Sequence, residues 1–257
     1  MSKPLAGNNG STPLIGMAKP TARAAKSYAT LVSMLPSHIR TIVRYAPIQN
    51  GTMEEFAGAI PAYAAMVSEL AAEGADLIHA EGTPPFLILG YDEERRTIEA
   101  WEKSTGVPIF TSAMCQVNAL RALGVRRLVD AGYDPTTGPV AERYFQKAGF
   151  NVLAVEKVPV SWAATVDLTE DQVFDMLAAV VHRHPGADGL CLQGSNHWQL
   201  SNAIERLEAE LGIAVVHPIA ARYWELMARL GLQGPRTGVG RLLRDMPPLK
   251  NSQRDAR

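Results

Sequence analysis

The sequence predicts an α/β protein in which two pseudo-symmetric halves each build a four-stranded parallel sheet flanked by helices. Three observations lead there. Short apolar runs rich in branched residues alternate with longer amphipathic stretches, as expected where strands buried on both faces alternate with covering helices. Segments of the first half return in the same order in the second. The 257 residues are 47% hydrophobic and 20% charged, with 25 basic against 26 acidic side chains, a composition that suits a packed core and excludes disordered, fibrous and disulfide-scaffold classes.

Taken in order, the apolar runs Leu14 to Met17 and Ile39 to Tyr45 read as the first two strands, and Glu54 to Glu73 as a helix. A strand over Asp76 to Ala80 and a helix over Glu93 to Ser104 follow. The next strand, Val107 to Thr111, leads into a helix over Gln116 to Leu123. The second half reads as strands Arg127 to Ala131, Asn151 to Val155, Gly189 to Gln193 and Ile213 to His217, interleaved with helices Gly138 to Lys147, Glu170 to His182, Leu200 to Leu211 and Ala220 to Leu230. Parallel neighbours need crossovers of about a dozen residues, and these helices supply them. The tail after Met246 is expected to be mobile.

The repeat is weak but ordered. Ala75 to Thr83 (ADLIHAEGT) lines up with Ala187 to Ser195 (ADGLCLQGS), Gly106 to Phe110 with Gly212 to Val216, and Ala119 to Val125 with Leu226 to Leu232, at offsets of 112, 106 and 107 residues. Two copies of one four-stranded, Rossmann-like unit account for this better than chance. The expected domains are 1–117 plus 226–257 and 118–225. Ligands of open parallel sheets bind beyond the carboxyl ends of the strands, so the active site is expected in an interdomain cleft.

Several function classes fall away. Cys115 and Cys191 read as reduced thiols, and no secretory leader pattern opens the chain, so a cytoplasmic location is expected. No apolar stretch approaches the roughly 20 residues of a membrane helix. Near-zero net charge and the lack of a basic cluster interleaved with aromatics argue against nucleic acid. Six cations, Lys3, Lys19, Arg23, Lys26, Arg40 and Arg44, precede the first acid, Glu54, which reads as a solvated basic face or as a mouth for an anionic substrate. No His, Cys, Asp or Glu spacing makes a convincing metal site, and no cofactor is expected.

The loops just after the strands hold the candidate chemistry: Lys19 to Arg23, Glu81 to Pro85, Thr111-Ser112, Gly132 to Asp134, Gly194 to His197, and His217-Pro218. The repeat makes Gly82-Thr83 and Gly194-Ser195 equivalent, and two such loops facing one substrate could address its opposite faces. Ser195, Asn196 and His197 read either as a nucleophile with a base nearby or as a hydrogen-bonding loop. Glu81 reads as a general base or as an ion-pair partner, with Arg23 the expected counter-charge. Thr83, Ser112, Asn196 and the amides around Gly82 and Gly194 are donors that could hold an anionic substrate group. Arg23 could clamp a carboxylate with both guanidinium nitrogens. Cys191 reads as a core thiol, and Cys115 as a core thiol unless a helix N-terminus activates it.

With these residues in view, the sequence resembles the aspartate/glutamate racemase superfamily, in its maleate isomerase and arylmalonate decarboxylase branch, over residues 14 to 232. The resemblance is carried by Glu81-Gly82-Thr83, by Asn118 to Val125, by Tyr133 and by Leu190 to His197. It implies two pseudo-symmetric α/β domains and metal-free, cofactor-free proton chemistry at a carbon beside a carboxylate. It also implies that Tyr133 donates to a substrate carboxylate and that His197 assists proton transfer. Relatives of the isomerase and racemase type carry a cysteine on each loop; here Gly82 stands at the first position and Ser195 or Gly194 at the second.

The expected function is therefore a cofactor-independent acid/base enzyme acting on a small carboxylate or related carbonyl compound, by isomerisation or decarboxylation. Ser195, His197 and Glu81 are the catalytic candidates, and Tyr133, Thr83, Gly82, Gly194, Asn196, Arg23 and Ser112 the substrate-binding ones. A hydrolase or hydratase using Ser195, and a non-catalytic carboxylate-binding protein, are the alternatives. The partner is a small-molecule carboxylate; the sequence leaves the oligomeric state open, a homo-oligomer included.

Overall fold

The computed structural model describes residues 12–22, 25–132, 138–158, 168–194 and 201–249. Among the described residues the eight strands are β1 (Leu14–Lys19), β2 (Arg40–Tyr45), β3 (Leu77–Ala80), β4 (Ile109–Thr111), β5 (Arg127–Gly132), β6 (Asn151–Lys157), β7 (Gly189–Leu192) and β8 (Ala214–Val216). They form two four-stranded sheets, ordered β2-β1-β3-β4 and β6-β5-β7-β8, with every pairing parallel. The second order is the first shifted by four strands, so the repeat seen in the sequence is a repeat of sheet topology.

The helices are α1 (Ala25–Met34), α2 (Met53–Ala57), α3 (Ile60–Ala72), α4 (Thr83–Leu89), α5 (Tyr91–Thr105), α6 (Ser112–Ala122), α7 (Gly138–Lys147), α8 (Glu170–His182), α9 (Ala203–Leu211), α10 (Pro218–Leu230) and α11 (Arg241–Asp245). Four of these, α1, α2, α4 and α11, differ from expectation. The helix expected over Glu54 to Glu73 is two: Thr52 and Glu55 close a capping box that starts α2, and Pro61 sits in the first turn of α3, where its missing N–H costs nothing. None of the described helices is long and apolar enough to cross a membrane.

The chain packs as two units, 1–114 with 134–149 and 115–133 with 150–257. This division differs from the one expected at 117 and 226. Helix α7 belongs with the first unit because Tyr144 donates its hydroxyl to buried Glu94 on α5 and meets the Tyr91 ring edge-on at 5.5 Å. The C-terminal stretch belongs with the second because Tyr223 donates to the Gly234 carbonyl at 3.0 Å and Trp224 Nε1 to the Pro247 carbonyl at 2.7 Å. The segment just after Met246 is thus held, where mobility was expected.

The first core gathers Ile15, Met17, Leu77, Ile78 and Phe110 from its sheet with Tyr63 and Leu70 from α3. The second gathers Val129, Leu190 and Val215 with Leu177 from α8 and Leu207 from α9. Gly189 is fixed by sterics rather than by conformation. A Cβ there would lie 2.5 Å and 2.6 Å from the two γ-methyls of Val125. Gly189→Ala is expected to cost about 1–3 kcal/mol as overpacking, and adding Val125→Ala should recover part of that loss, read as urea midpoints of the single and double variants.

Candidate active site

At the carboxyl edge of the first sheet, parallel register pairs Ala18 with Ala80 and so brings Lys19 beside Glu81. Lys19 is fully buried, and its Nζ donates to Glu81 Oε1 at 2.7 Å. Ser27 Oγ on α1 donates to the same oxygen at 3.4 Å, and the Lys19 ammonium lies 5.3 Å from the centre of the Tyr28 ring. Glu81 therefore takes the ion-pair reading, with Lys19 as its counter-charge among the described residues; Arg23, the expected one, lies outside them.

The backbone after Glu81 is equally fixed. Glu81 N–H donates to the Ala18 carbonyl at 2.7 Å, and its own carbonyl accepts the buried Tyr63 hydroxyl. Burial, reinforced by the charge on Glu81, pushes the Tyr63 phenol well above its usual range, so it acts as a neutral donor. Gly82 follows with φ +106°. Its N–H donates to Ser112 Oγ at 3.1 Å, and the same Oγ lies 3.2 Å from His79 Nε2. His79 in turn stacks on Phe110 at 4.6 Å between ring centres. Ser112 thus ties the ends of β3 and β4 together, and Thr83 opens α4 directly after Gly82.

The equivalent edge of the second sheet carries a group that the sequence reading passed over. Asp130 pairs with Cys191 in register and is buried, with its Oδ1 accepting Gln193 Nε2–H at 2.8 Å. Burial pushes its carboxyl up to about 7, against the opposing pull of hydrogen bonds from Gln193 and the Cys191 thiol. Cys191 is the core thiol expected, raised well above its usual range by burial and by Asp130. Cys115 is also buried; burial first, then the charge of Glu225, pushes it up, so the start of α6 does not activate it. His217 caps α10, its Nδ1 accepting Ile219 N–H at 3.1 Å, which leaves the ring proton on Nε2.

Of the expected site residues, the structure brings Glu81, Gly82, Thr83 and Ser112 to one strand-end cluster and places Gly194 at the equivalent loop of the other sheet. Arg23, Tyr133, Ser195, Asn196 and His197 lie outside the described residues. Tyr63, Asp130 and Gln193 were missed as functional candidates, and Lys19, though placed in a candidate loop, was not given its role as the partner of Glu81. The available signal was a charge closing or interrupting an apolar strand, as in Leu14 to Lys19 and in Leu128-Val129-Asp130-Ala131.

Comparison with known proteins fits this geometry. The family model for arylmalonate decarboxylase matches residues 15–243. The chain belongs to the arylmalonate decarboxylase family. An arylmalonate decarboxylase of Bordetella bronchiseptica is 27% identical over 241 residues, covering 90% of this chain and 97% of that protein. Among solved structures, a liganded double mutant of arylmalonate decarboxylase superposes with a TM-score of 0.80 at 23% identity, covering 91% of this chain and all of that one. A maleate isomerase from Pseudomonas putida S16, solved with maleate, gives 0.77 at 19% identity, covering 90% and 97%. The family is the branch to which the strand-end loops pointed.

Proposed function

We propose that the protein is a cofactor-independent decarboxylase or isomerase acting on a small dicarboxylate, with an aryl-substituted malonate as the leading substrate class. Family membership and the named activities of its relatives support the class of reaction. The observation that carries the choice of decarboxylation is Gly82, where isomerase-type relatives by resemblance bear a thiol: with no side chain at this position, the first loop lacks the second acid/base group that isomerisation uses. In the proposed reaction the bond from the α-carbon to one carboxylate breaks and carbon dioxide leaves. The electron pair passes into the remaining carboxylate as an enediolate, and one proton returns to the α-carbon.

Ser195 with His197 is assigned the proton delivery, since a serine hydroxyl alone is several pK units too weak an acid at neutral pH. Glu81 is assigned no proton transfer: held by Lys19, it fixes the backbone that leads into Gly82. Tyr133, Arg23, Thr83 and Asn196, with the backbone at Gly194, are assigned to the carboxylates, where donors aimed at developing charge contribute most, while Ser112 holds the Gly82 backbone in place. The test is product analysis of purified protein with phenylmalonate and with maleate, repeated with Ser195→Ala, His197→Ala, Tyr133→Phe and Arg23→Ala. Phenylacetate from phenylmalonate, lost in the first three variants, is the expected result. Fumarate from maleate without phenylacetate would move the assignment to isomerisation, and no product from either would overturn it.

A further inference from the structure

The two sheets hold their strand-end glycines by the same device. In the first, a charged side chain from β1, Lys19, grips Glu81 just before Gly82. In the second, a charged side chain from β5, Asp130, grips Gln193 just before Gly194. Glu81 and Gln193 are equivalent in the repeat, and each gripping residue comes from the strand paired in parallel with the one that ends there. The second grip has a further clasp: Gln193 Nε2 also donates to Gln116 Oε1 at 3.3 Å, and Gln116 Nε2 donates to the Leu192 carbonyl at 3.0 Å. Gln116, on α6, and Asp130 thus hold the Leu192–Gln193 segment from two sides.

We propose that Asp130 is a positioning residue whose protonation state sets the orientation of the Gln193 amide and, through it, the backbone at Gly194. With the carboxyl ionised, Oδ1 accepts one amide hydrogen of Gln193 while the other reaches Gln116, as the distances show. Protonation removes the charge that the Gln193 N–H donates to and weakens this hydrogen bond, and a proton on Oδ1 itself sets two donors against each other, so that the Gln193 amide turns and releases Gln116. The groups that face the carboxyl among the described residues are the Cys191 thiol and the Gln193 amide, with the Gln116 amide behind Gln193. The thiol stays neutral because burial raises it, so no charge other than that of Asp130 changes here near neutral pH. Burial places the Asp130 transition at about 7, where such a switch answers to ordinary conditions.

This inference rests on the proposed function only in giving the Gly194 loop a catalytic use; the coupling itself is read without turnover. Amide resonances of Gln193 and Gly194 and the Asp130 side-chain carboxyl carbon are followed by NMR from pH 5.5 to 8.5. In the natural protein all are expected to move with one shared midpoint near 7, and in Asp130→Asn the two amides should stay still. Gln193→Leu removes a donor to the ionised carboxyl, so the Asp130 midpoint should rise by about one unit or more; this variant reads the contact even if Asp130→Asn does not fold. Amides that ignore the Asp130 titration, or that titrate unchanged in Asp130→Asn, overturn the proposal. The pH profile of kcat/KM for malonate decarboxylation should lose its inflection near 7 in Asp130→Asn. Absence of turnover with the coupled titration intact would instead sink the functional reading alone.

Discussion

Lys19→Met is expected to lower the stability of the protein by about 3–5 kcal/mol, because it strands the Glu81 carboxylate in a site sealed from water. Lys19 is fully buried and Glu81 nearly so, with 2.7 Å between their charged atoms, so neither solvent nor salt softens the loss. Glu81→Met strands the ammonium instead and is expected to cost a similar amount. The double variant Lys19→Met with Glu81→Met should recover most of the loss, since a buried ion pair replaced by packed apolar groups is often close to neutral. Urea unfolding of the three variants closes a double-mutant cycle, and a coupling energy below about 1 kcal/mol would show that the pair holds nothing in place. The double variant should also decarboxylate more slowly than its stability alone would suggest, because the pair holds the backbone that leads into Gly82.

Gly82→Ala carries the second large effect, and for two separable reasons. At φ +106° an L side chain is strained whatever the space, by about 1–3 kcal/mol. The added Cβ would also lie 3.0 Å from the Tyr63 hydroxyl and 3.1 Å from Pro20 Cγ. Tyr63 cannot withdraw cheaply, because its hydroxyl is bonded to the Glu81 carbonyl and its ring packs edge-on against Phe86 at 5.2 Å. A total loss of about 3 kcal/mol is expected, read as the shift in urea midpoint. Pairing the substitution with Tyr63→Phe should relieve the contact with Tyr63 but not the backbone strain, so the double variant should lose less than the sum of the singles. Gly82→Cys should destabilise at least as much, which makes this loop a poor host for a second thiol.

The strands were legible because parallel strands buried on both faces must be apolar throughout, so runs such as Leu77 to Ala80 and Gly189 to Leu192 stand out from the amphipathic helices around them. The repeat was legible for the same reason, since equivalent strands carry equivalent apolar runs. Helix ends were harder to read. An unbroken apolar periodicity across Gly58 and Pro61 hid the division of α2 from α3, which the structure marks by Gly58 ending α2 and Pro61 in the first turn of α3. Helix α4 was hidden by its three opening residues, Thr83-Pro84-Pro85, which read as a loop.

The site divides along the same line. Glu81, Gly82, Thr83 and Ser112 could be named because they follow strands, and position after a strand is a local property. Their partners could not. Lys19 and Glu81 are 62 residues apart and Asp130 and Gln193 are 63, and each pair meets only because β1 lies beside β3 and β5 beside β7. Strand order is a tertiary outcome that periodicity does not encode. The same holds for the unit boundary, where a hydroxyl contact from Tyr144 to Glu94 decides to which unit α7 belongs.

The measurement that tests the account most directly is solvent isotope incorporation. Purified protein is incubated with phenylmalonate in deuterated water, and the product is read by proton NMR and mass spectrometry. The account predicts phenylacetate carrying one solvent deuterium at the α-carbon, formed about 10²–10⁴-fold more slowly by Ser195→Ala and by His197→Ala. Phenylmalonate returned unchanged, or phenylacetate formed at the same rate by both variants, would contradict it.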